Sequence, residues 1–510
     1  MNVIEIDNIN YARSYIEHPL ENIQLTVKQG ELIHLKGETG AGKSTLIDIL
    51  LGIKYPDSGT VKIFGSPPSE LKSKFLTGVA PQKIGPPIEN AQLGRLIDLI
   101  ESHYQGAEGK INSILEDFGL KFSQNKQRLS GGQERILFFA LAQAGSPKLL
   151  ILDEPTTFLD TEDTENNVSK LTKFWKHLQN FHDEGNTVLL ISHDREIGVQ
   201  PTRTIWLKDG RLNESFDVNN SEESSDKEVD SNLIHSDNEV GALHWLYLLR
   251  KHVKFNIQQT FQADRKDIWL TFIASFLWAV CISFTAKIGS SEDSSSVYTI
   301  AIFYSSYLAM TAAKSTGNII AEERQNEILT KFLKVLPLPP IIYLSAKVIA
   351  AWLITSLLIL TMLFITLFSN VISPSIFISL LGSLILGVIP YLFLGLALGY
   401  LFDKPKNIQI AALMSSLILT IPVFSRPILQ VIETVFATPG KLNIAALIGD
   451  NVAAHSPIYH YIQIILFSGK APEYDRYLWL HLGWLIWFTL ISILIALWAY
   501  WRTCKQEAQA

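Results

Sequence analysis

The pattern of apolar and polar positions changes regime along the chain. Up to Asn213 it consists of short apolar runs, such as Leu32–Leu35 and Leu149–Leu152, separated by polar stretches and glycine-rich turns. Short buried runs bounded by turns and alternating with helix-periodic stretches predict an α/β domain. Glu214–Glu239 has few large apolar residues and no periodicity. Beyond Val240 come long apolar runs at 268–288, 297–313, 341–368, 376–402, 408–424 and 478–501. A helix needs about 20 mostly apolar residues to cross the hydrocarbon of a bilayer. The pattern therefore predicts six spans with both chain ends on one side, the second and fifth being short and the third long enough to tilt or break. Ser425–Tyr477 mixes short apolar pieces with Pro427, Pro439, Gly440, Pro457 and Pro472, which reads as re-entrant or interfacial chain on the outer side. Asn318–Pro340, between the second and third spans, reads as an amphipathic helix stopped by Pro337, with Ile319, Ile320, Ile328, Leu329, Phe332 and Leu333 opposite Glu322, Glu323, Arg324, Lys331 and Lys334.

Composition agrees with this division. A chain of 510 residues is too long for one ordinary domain. It is 47% hydrophobic and only 18% charged, too apolar for a purely soluble protein and unlike a disordered or fibrous one. The net charge of −6 argues against nucleic acid as a partner, and two cysteines cannot build a disulfide framework. The charge is unevenly spread. Residues 1–213 carry −4, and 214–239, with nine acids and one lysine, carry −8 and read as a solvated linker. Residues 240–510 carry +6. With the N-terminal domain inside, cytoplasmic segments hold thirteen Lys/Arg and outer segments five, which satisfies the positive-inside rule. Trp479, Trp484, Trp487, Trp498 and Trp501 stand in or near the last span, several where interfacial anchors belong. The start, MNVIEIDNINYARSY, lacks the charged and apolar regions of a secretory signal, so the spans themselves direct insertion into the cell membrane. No acidic residue falls inside the six runs, so the energy source is sought in the soluble half.

That half carries candidate chemistry. The strand-like Leu32–Leu35 leads into Gly37-Glu-Thr-Gly40-Ala-Gly42-Lys43-Ser44-Thr45 and then a helix-like run. Glycines at such a turn let backbone N–H groups wrap phosphate, and the helix N-terminus adds a positive dipole. Lys43 is placed to reach the β- and γ-phosphates of a nucleotide and Ser44 to ligate Mg²⁺. Leu149–Leu152 ends in Asp153, a candidate Mg²⁺ ligand, and Glu154, a candidate general base. Leu129-Ser130-Gly131-Gly132-Gln133 opens a second helix, with Ser130 as its N-cap and a second anion-binding turn.

Glycine-rich loop, LSGGQ, LLILDEP, Leu159-Asp160 and TVLLISHD, in this order, resemble the nucleotide-binding domain of ABC transporters over the first ~210 residues. The resemblance implies that Gln82, in VAPQ, is the Q-loop residue that touches Mg²⁺. It implies that Ser130 and Gly132 bind the γ-phosphate held by another subunit, that Asp160 is the D-loop aspartate, and that His193 is the switch histidine. Tyr11 and Tyr15 are both candidates for stacking on adenine, with Tyr11 preferred. Phe158 stands where the family often has glycine. The membrane half resembles ABC type-2 exporter permeases: Glu323-Arg324 and Pro337 fit the motif of the segment after span two, while Glu327-Ile328 replaces its glycine-threonine. The expected fold is thus an α/β P-loop ATPase domain (1–213), an acidic linker (214–239) and an all-α six-helix transmembrane domain (240–510). One chain has one P-loop and one signature, so the resemblance implies a homodimer, with a heterodimer as the other arrangement. The expected activity is ATP- and Mg²⁺-dependent export of an amphipathic or hydrophobic small molecule or lipid. Alternatives are a glycan carrier, haem or peptide as cargo, or a membrane-embedded regulatory ATPase. The ATPase domain and the C-terminus are expected in the cytoplasm. Tyr304, Ser305, Ser306, Tyr307 and Thr311, with Ser415, Ser416 and Thr420, are either cavity-lining or helix-packing residues.

Overall fold

The computed structural model describes residues 1–12, 19–82, 90–120, 129–159, 168–193, 197–215, 242–263, 265–289, 293–325, 333–402, 404–419, 456–469 and 478–509. The chain forms two compact units: Met1–Lys251 with Asn326–Tyr343 and Lys505–Ala510, and His252–Gln325 with Leu344–Cys504.

The first unit holds two sheets. Strands β1 (Asn2–Tyr11), β2 (Leu20–Lys28) and β4 (Ser58–Ile63) form an antiparallel sheet in the order β2-β1-β4. The second sheet has the order β5-β6-β7-β3-β8-β9. Its strands are β3 (Leu32–Gly37), β5 (Thr77–Ala80), β6 (Leu149–Asp153), β7 (Thr187–Ile191), β8 (Arg203–Lys208) and β9 (Arg211–Ser215). All its pairs are parallel except β8–β9. Parallel strands are covered on both faces, which explains why LLILD and TVLLI are apolar throughout and wholly buried rather than alternating. The helices are α1 (Lys43–Leu50), α2 (Leu71–Leu76), α3 (Asn90–Ser102), α4 (Lys110–Asp117), α5 (Gly131–Ala142) and α6 (Lys170–Asp183). Leu46, Ile47, Ile49 and Leu50 of α1 join one buried cluster with Ile33, Leu35, Ile151, Leu189 and Ile205 of the large sheet and Ile4, Ile9 and Ile23 of the small one. Each such side chain contributes about 1.5–3 kcal/mol by leaving water.

Helix α7 (Ala242–Ala263), which the span pattern did not anticipate, straddles the two units: residues through Lys251 group with the first. It carries no acidic residue, and the Lys251 ammonium meets Asp98 of α3 at 2.9 Å. That hydrogen bond holds the Lys251 pKa above its ordinary value.

The second unit is helical. Its elements are α8 (Arg265–Gly289), α9 (Asp293–Gln325), α10 (Pro340–Phe368), α11 (Pro374–Gly387), α12 (Ile389–Leu401), α13 (405–419), α14 (Pro457–Gly469) and α15 (Leu478–Gln509). Among the described residues three helical stretches are long and apolar enough to span a membrane: Pro340–Phe368, Ile376–Leu401 and Leu478–Gln506. A shorter apolar stretch, Trp269–Phe284, lies within α8. The third predicted span is one unbroken 29-residue helix. The fourth is two helices meeting at Val388, with Pro390 at the start of the second, where its missing N–H costs least. The separate amphipathic helix expected over Asn318–Pro340 is corrected in its first part: Asn318–Gln325 continues α9, which is 33 residues long. Ile319, Ile320 and Glu323 are all buried in it. Gly317 lies at a close crossing of α9 with α12: a Cβ at Gly395 would collide with the Ala313 carbonyl and one at Gly399 with the Gly317 carbonyl, while one at Gly317 would strike Ile408. Residues 326–332 lie outside the described set. Of the outer region, IYHYIQIILF is helical within α14, and ILQVIETVFA lies outside the described residues. Trp479, Trp487, Trp498 and Trp501 of α15 are exposed, and Arg502 stacks over Trp498 at 5.4 Å.

Candidate functional site: the ends of β3 and β6

The site is built where parallel strands end. Strand β3 stops at Gly37, where any Cβ would strike the Leu207 carbonyl of β8, so only glycine lets the turn begin there. The turn ends at Gly42, whose φ of +100° favours glycine. Gly42 is the N-cap of α1 and supplies no side-chain cap, so the first-turn N–H groups have no side-chain cap and face the loop. Lys43 is buried, and its ammonium donates to the carbonyls of Gly37 at 2.7 Å and Glu38 at 2.9 Å. Burial lowers the Lys43 pKa, while Glu154 and then Asp153 oppose that shift. Ser44 is exposed beside it and Thr45 half-buried.

The carboxylates come from the end of β6. Asp153 and Glu154 are each 7% exposed. Glu154 takes the left-handed conformation, φ 50°, and its N–H donates to the Ile191 carbonyl of β7 at 2.9 Å. Strained backbone of this kind persists where the surroundings fix it and often marks a functional position. The end of β7 delivers His193, whose Nε2 lies 3.2 Å from Glu154 Oε1. The Ser192 hydroxyl meets Nε2 of buried His34 on β3 at 3.4 Å. Lys43, Asp153, Glu154 and His193 are thus assembled from three adjacent strands, β3, β7 and β6.

The remaining predicted residues fall as follows. Gln82 is exposed two residues beyond β5. Ser130 caps α5: its hydroxyl accepts from the Gln133 N–H at 3.3 Å, and the Gln133 side chain accepts from the Ser130 N–H at 3.0 Å. Gly132 is buried beneath Phe158, where a Cβ would come within 2.5 Å of the Phe158 carbonyl. Phe158 itself has φ 69°, is 69% exposed and lies over Gly131. Gly40 is exposed in the loop, with φ +88°. Asp160 and Tyr15 lie outside the described residues. Tyr11 does not present a ring for stacking: it is wholly buried in the core cluster, because β1 places it on the face that packs inward.

Sequence reasoning missed Arg135. This residue of α5 is 5% exposed and donates to the Pro81 carbonyl at 3.2 Å, one residue before Gln82. Burial pushes its pKa down, and Asp153, Glu134 and Glu154, in that order, hold it up. It joins α5 to the chain leading into Gln82. The signal was a buried Glu134-Arg135 pair at the start of an otherwise apolar helical run.

In the membrane unit the predicted polar residues spend their hydrogen bonds on packing. Tyr304 donates to the Met362 carbonyl at 3.2 Å, Ser416 to the Ser306 carbonyl at 3.0 Å, and Tyr307 pairs with Ser275 at 2.9 Å. Thr420 lies outside the described residues.

The chain is similar to known proteins in both halves. The family described as ABC transporter matches residues 20–157, and the ABC-2 family transporter protein family matches residues 152–498. The macrolide export ATP-binding/permease protein MacB of Mannheimia succiniciproducens is 30% identical over 227 residues, 42% of this chain and 34% of that protein. The match thus spans about a third of such relatives' length. The uncharacterized ABC transporter ATP-binding protein MJ0796 of Methanocaldococcus jannaschii is 30% identical over 213 residues, 39% of this chain and 88% of that protein. A solved dimeric structure of that ATP-binding cassette, in a post-hydrolysis state bound to ADP and Pi, shares 26% identity over 42% of this chain and 97% of its own, with a TM-score of 0.36.

Proposed function

The chain belongs to the ABC-2 family of transporters, and on that premise we propose that it is an ATP-driven exporter, working as a homodimer in the cell membrane and moving an amphipathic or hydrophobic small molecule or a lipid outward. The observation that carries this reading is the gathering of Lys43, Asp153, Glu154 and His193 at the ends of three neighbouring strands of the ATPase unit, in a chain whose other unit holds membrane-length helices. The named export function of MacB relatives favours the outward direction.

The residues present suit a nucleotide with Mg²⁺. The α1 N–H groups have no side-chain cap, and the buried Lys43 ammonium offers the positive charge that phosphates require. The exposed Ser44 hydroxyl and the Asp153 carboxylate are hard oxygen donors of the kind Mg²⁺ takes, with Gln82 as a further oxygen. When bound, Mg²⁺ neutralises charge that develops on the phosphates. The protein's own work is then positional and acid–base. Lys43 gives up its loop carbonyls for phosphate oxygens. Glu154 accepts a proton from the attacking water at its carboxylate. His193 Nε2, already in contact with Glu154, fixes that carboxylate and reaches the γ-phosphate. The exposed Ser130, with Gly132 behind it at the α5 N-terminus, would offer an anion site to the nucleotide held by a second chain. Closing and reopening of the dimer with binding and hydrolysis bias a two-state membrane unit.

The test uses the full chain in lipid vesicles. Wild type is expected to hydrolyse Mg-ATP, and Glu154→Gln to lose steady-state turnover while accumulating as an ATP-bound dimer by light scattering. Undiminished hydrolysis in Glu154→Gln would remove Glu154 from its role, and ATP-independent movement of cargo would remove the exporter reading.

A further inference from the structure

Between its first and last residues in the membrane unit, the chain leaves that unit and returns to it once. Asn326–Tyr343 groups with the ATPase unit, while Gln325 before it and Leu344 after it belong to the membrane unit. On the ATPase side this excursion is gripped near its middle. Lys74 of α2 donates to the Lys334 carbonyl at 2.5 Å, and Val335 packs on the core cluster.

Its base, within the membrane unit, is tied more tightly. Glu323 stands two residues before the excursion leaves, and Lys347 stands three residues after Leu344, where it returns. The two form an ion pair with side chains 4% and 1% exposed. This pair joins α9 to α10. The next residue, Arg324, donates to the carbonyls of Gly399 at 3.3 Å and Tyr400 at 3.2 Å, at the C-terminal end of α12. Cations at helix C-termini satisfy carbonyls that have no intrahelical donor. Thr503 of α15 donates to the same Tyr400 carbonyl at 3.0 Å. Three membrane helices therefore meet at two consecutive residues, and α15 joins them through the Tyr400 carbonyl.

A buried ion pair is weak evidence for stability, since well-packed apolar residues do as well or better. Ionisable groups inside membrane helices are costly and tend to be kept for function. This pair sits at the one place where the membrane unit sends chain to the ATPase unit and takes it back. We propose that Glu323 and Lys347 form a staple that holds the two arms of the excursion together, so that displacement of Asn326–Tyr343 reaches α9, α10, α12 and α15 as one movement. Glu323 and Lys347 are thus positioning residues for transport. The proposal deepens the exporter reading and rests on it.

A reporter is available. Neither Cys281 nor Cys504 is in a disulfide, and Cys504 neighbours Thr503 on α15. The experiment uses the full chain with Cys281→Ser, in lipid vesicles, and N-ethylmaleimide as the probe. It measures the labelling rate of Cys504 with and without Mg-ATP, beside ATP hydrolysis. With the pair intact, ATP changes the labelling rate. Glu323→Gln and Lys347→Met are expected to hydrolyse ATP while the rate ratio collapses to unity. The exchanged pair, Glu323→Lys with Lys347→Glu, is expected to restore the ratio. Each single variant leaves a buried charge uncompensated, so the doubly neutral protein, Glu323→Gln with Lys347→Met, serves as the folded control. It is expected to keep the wild-type thermal midpoint and lose the ratio. A doubly neutral protein that keeps the ratio, or a folded exchanged pair that lacks it, overturns the staple. Failure of the wild type to hydrolyse ATP is a different result, and it sinks the exporter reading itself.

Discussion

The ATPase unit and the membrane unit use polar groups in opposite ways. In the first, catalytic candidates are left at strand ends with capacity to spare: an α1 N-terminus without a side-chain cap, an exposed Ser44 hydroxyl, a Glu154 carboxylate contacted by a half-exposed His193. In the second, several hydroxyls and charges tie helices together, as with Tyr304 to Met362 and Glu323 to Lys347. The physical reason is the solvent. A strand end at a water-facing edge can leave polar atoms for a ligand, because water serves them in the meantime. In hydrocarbon an unserved polar atom costs several kcal/mol, which favours pairing with a protein group. Polar residues therefore point to chemistry in the first unit and mainly to architecture in the second.

The sharpest way to break this comparison is at His193. If its contact with Glu154 serves hydrolysis, His193→Ala should lower kcat about 10²–10³-fold with ATP affinity little changed. Steady-state ATPase assays with equilibrium nucleotide binding check this. A change of less than about threefold would make the pair a packing contact like those of the membrane unit.

This contrast also explains what could be read from the sequence. The nucleotide site was legible because each part is local: Gly37–Thr45, Asp153-Glu154 and Ser192-His193 are each a strand end with its following turn, and the parallel sheet brings those ends together. Arg135 was not legible, because its meaning lies in a contact with Pro81, 54 residues away. Tyr11 misled because an aromatic near the start of an ATPase domain suits both stacking and packing, and only the register of β1 decides. In the membrane half, the long apolar runs announced helices, but neither the pairing of Lys347 with Glu323 nor the length of α9 followed from hydropathy. Lys347 lies inside the third predicted span, and a single lysine there says nothing about which helix answers it.

The second test concerns burial of a titratable group in the ATPase unit. His103 is buried, its ring Nδ1 lies 2.8 Å from the Leu99 carbonyl, and its pKa is lowered to about 4, mainly by burial, with His244 adding to the shift. The unfolded imidazole takes a proton near 6.5, the folded one only near 4. Between these values the unfolded state binds more protons, so stability present above pH 6.5 is lost as pH falls towards 4. The full loss is up to about 3 kcal/mol. His103→Asn keeps a donor for Leu99 without the titration. Its thermal midpoint should fall less than that of wild type between pH 7 and 5.

The third test concerns backbone approach in the membrane unit. A Cβ at Gly395 would collide with the Ala313 carbonyl, whereas one at Gly382 meets nothing within 4 Å. Gly395→Leu should destabilise by about 2 kcal/mol through overpacking, and Gly382→Ala should change the midpoint little. Equal effects at the two positions would mean that α9 and α12 do not depend on their close crossing.

The smallest effect is also the most informative about cargo. The Tyr307 hydroxyl pairs with Ser275 at 2.9 Å, and its ring stacks on Trp278 at 5.8 Å. If that hydroxyl serves packing, Tyr307→Phe removes one interhelical hydrogen bond and keeps the stacked ring. Such bonds in membrane proteins average about 0.6 kcal/mol, so the thermal midpoint should move only slightly. Stimulation of ATPase activity by candidate amphipathic compounds should then be unchanged. A variant of near-wild-type stability that loses stimulation by one compound would show that the hydroxyl leaves Ser275 to meet cargo. Tyr307 would then work as the ATPase residues do, by holding a polar atom ready for a ligand. The difference between the two units would then be one of conformational state: polar groups paired with one another at rest and released during transport.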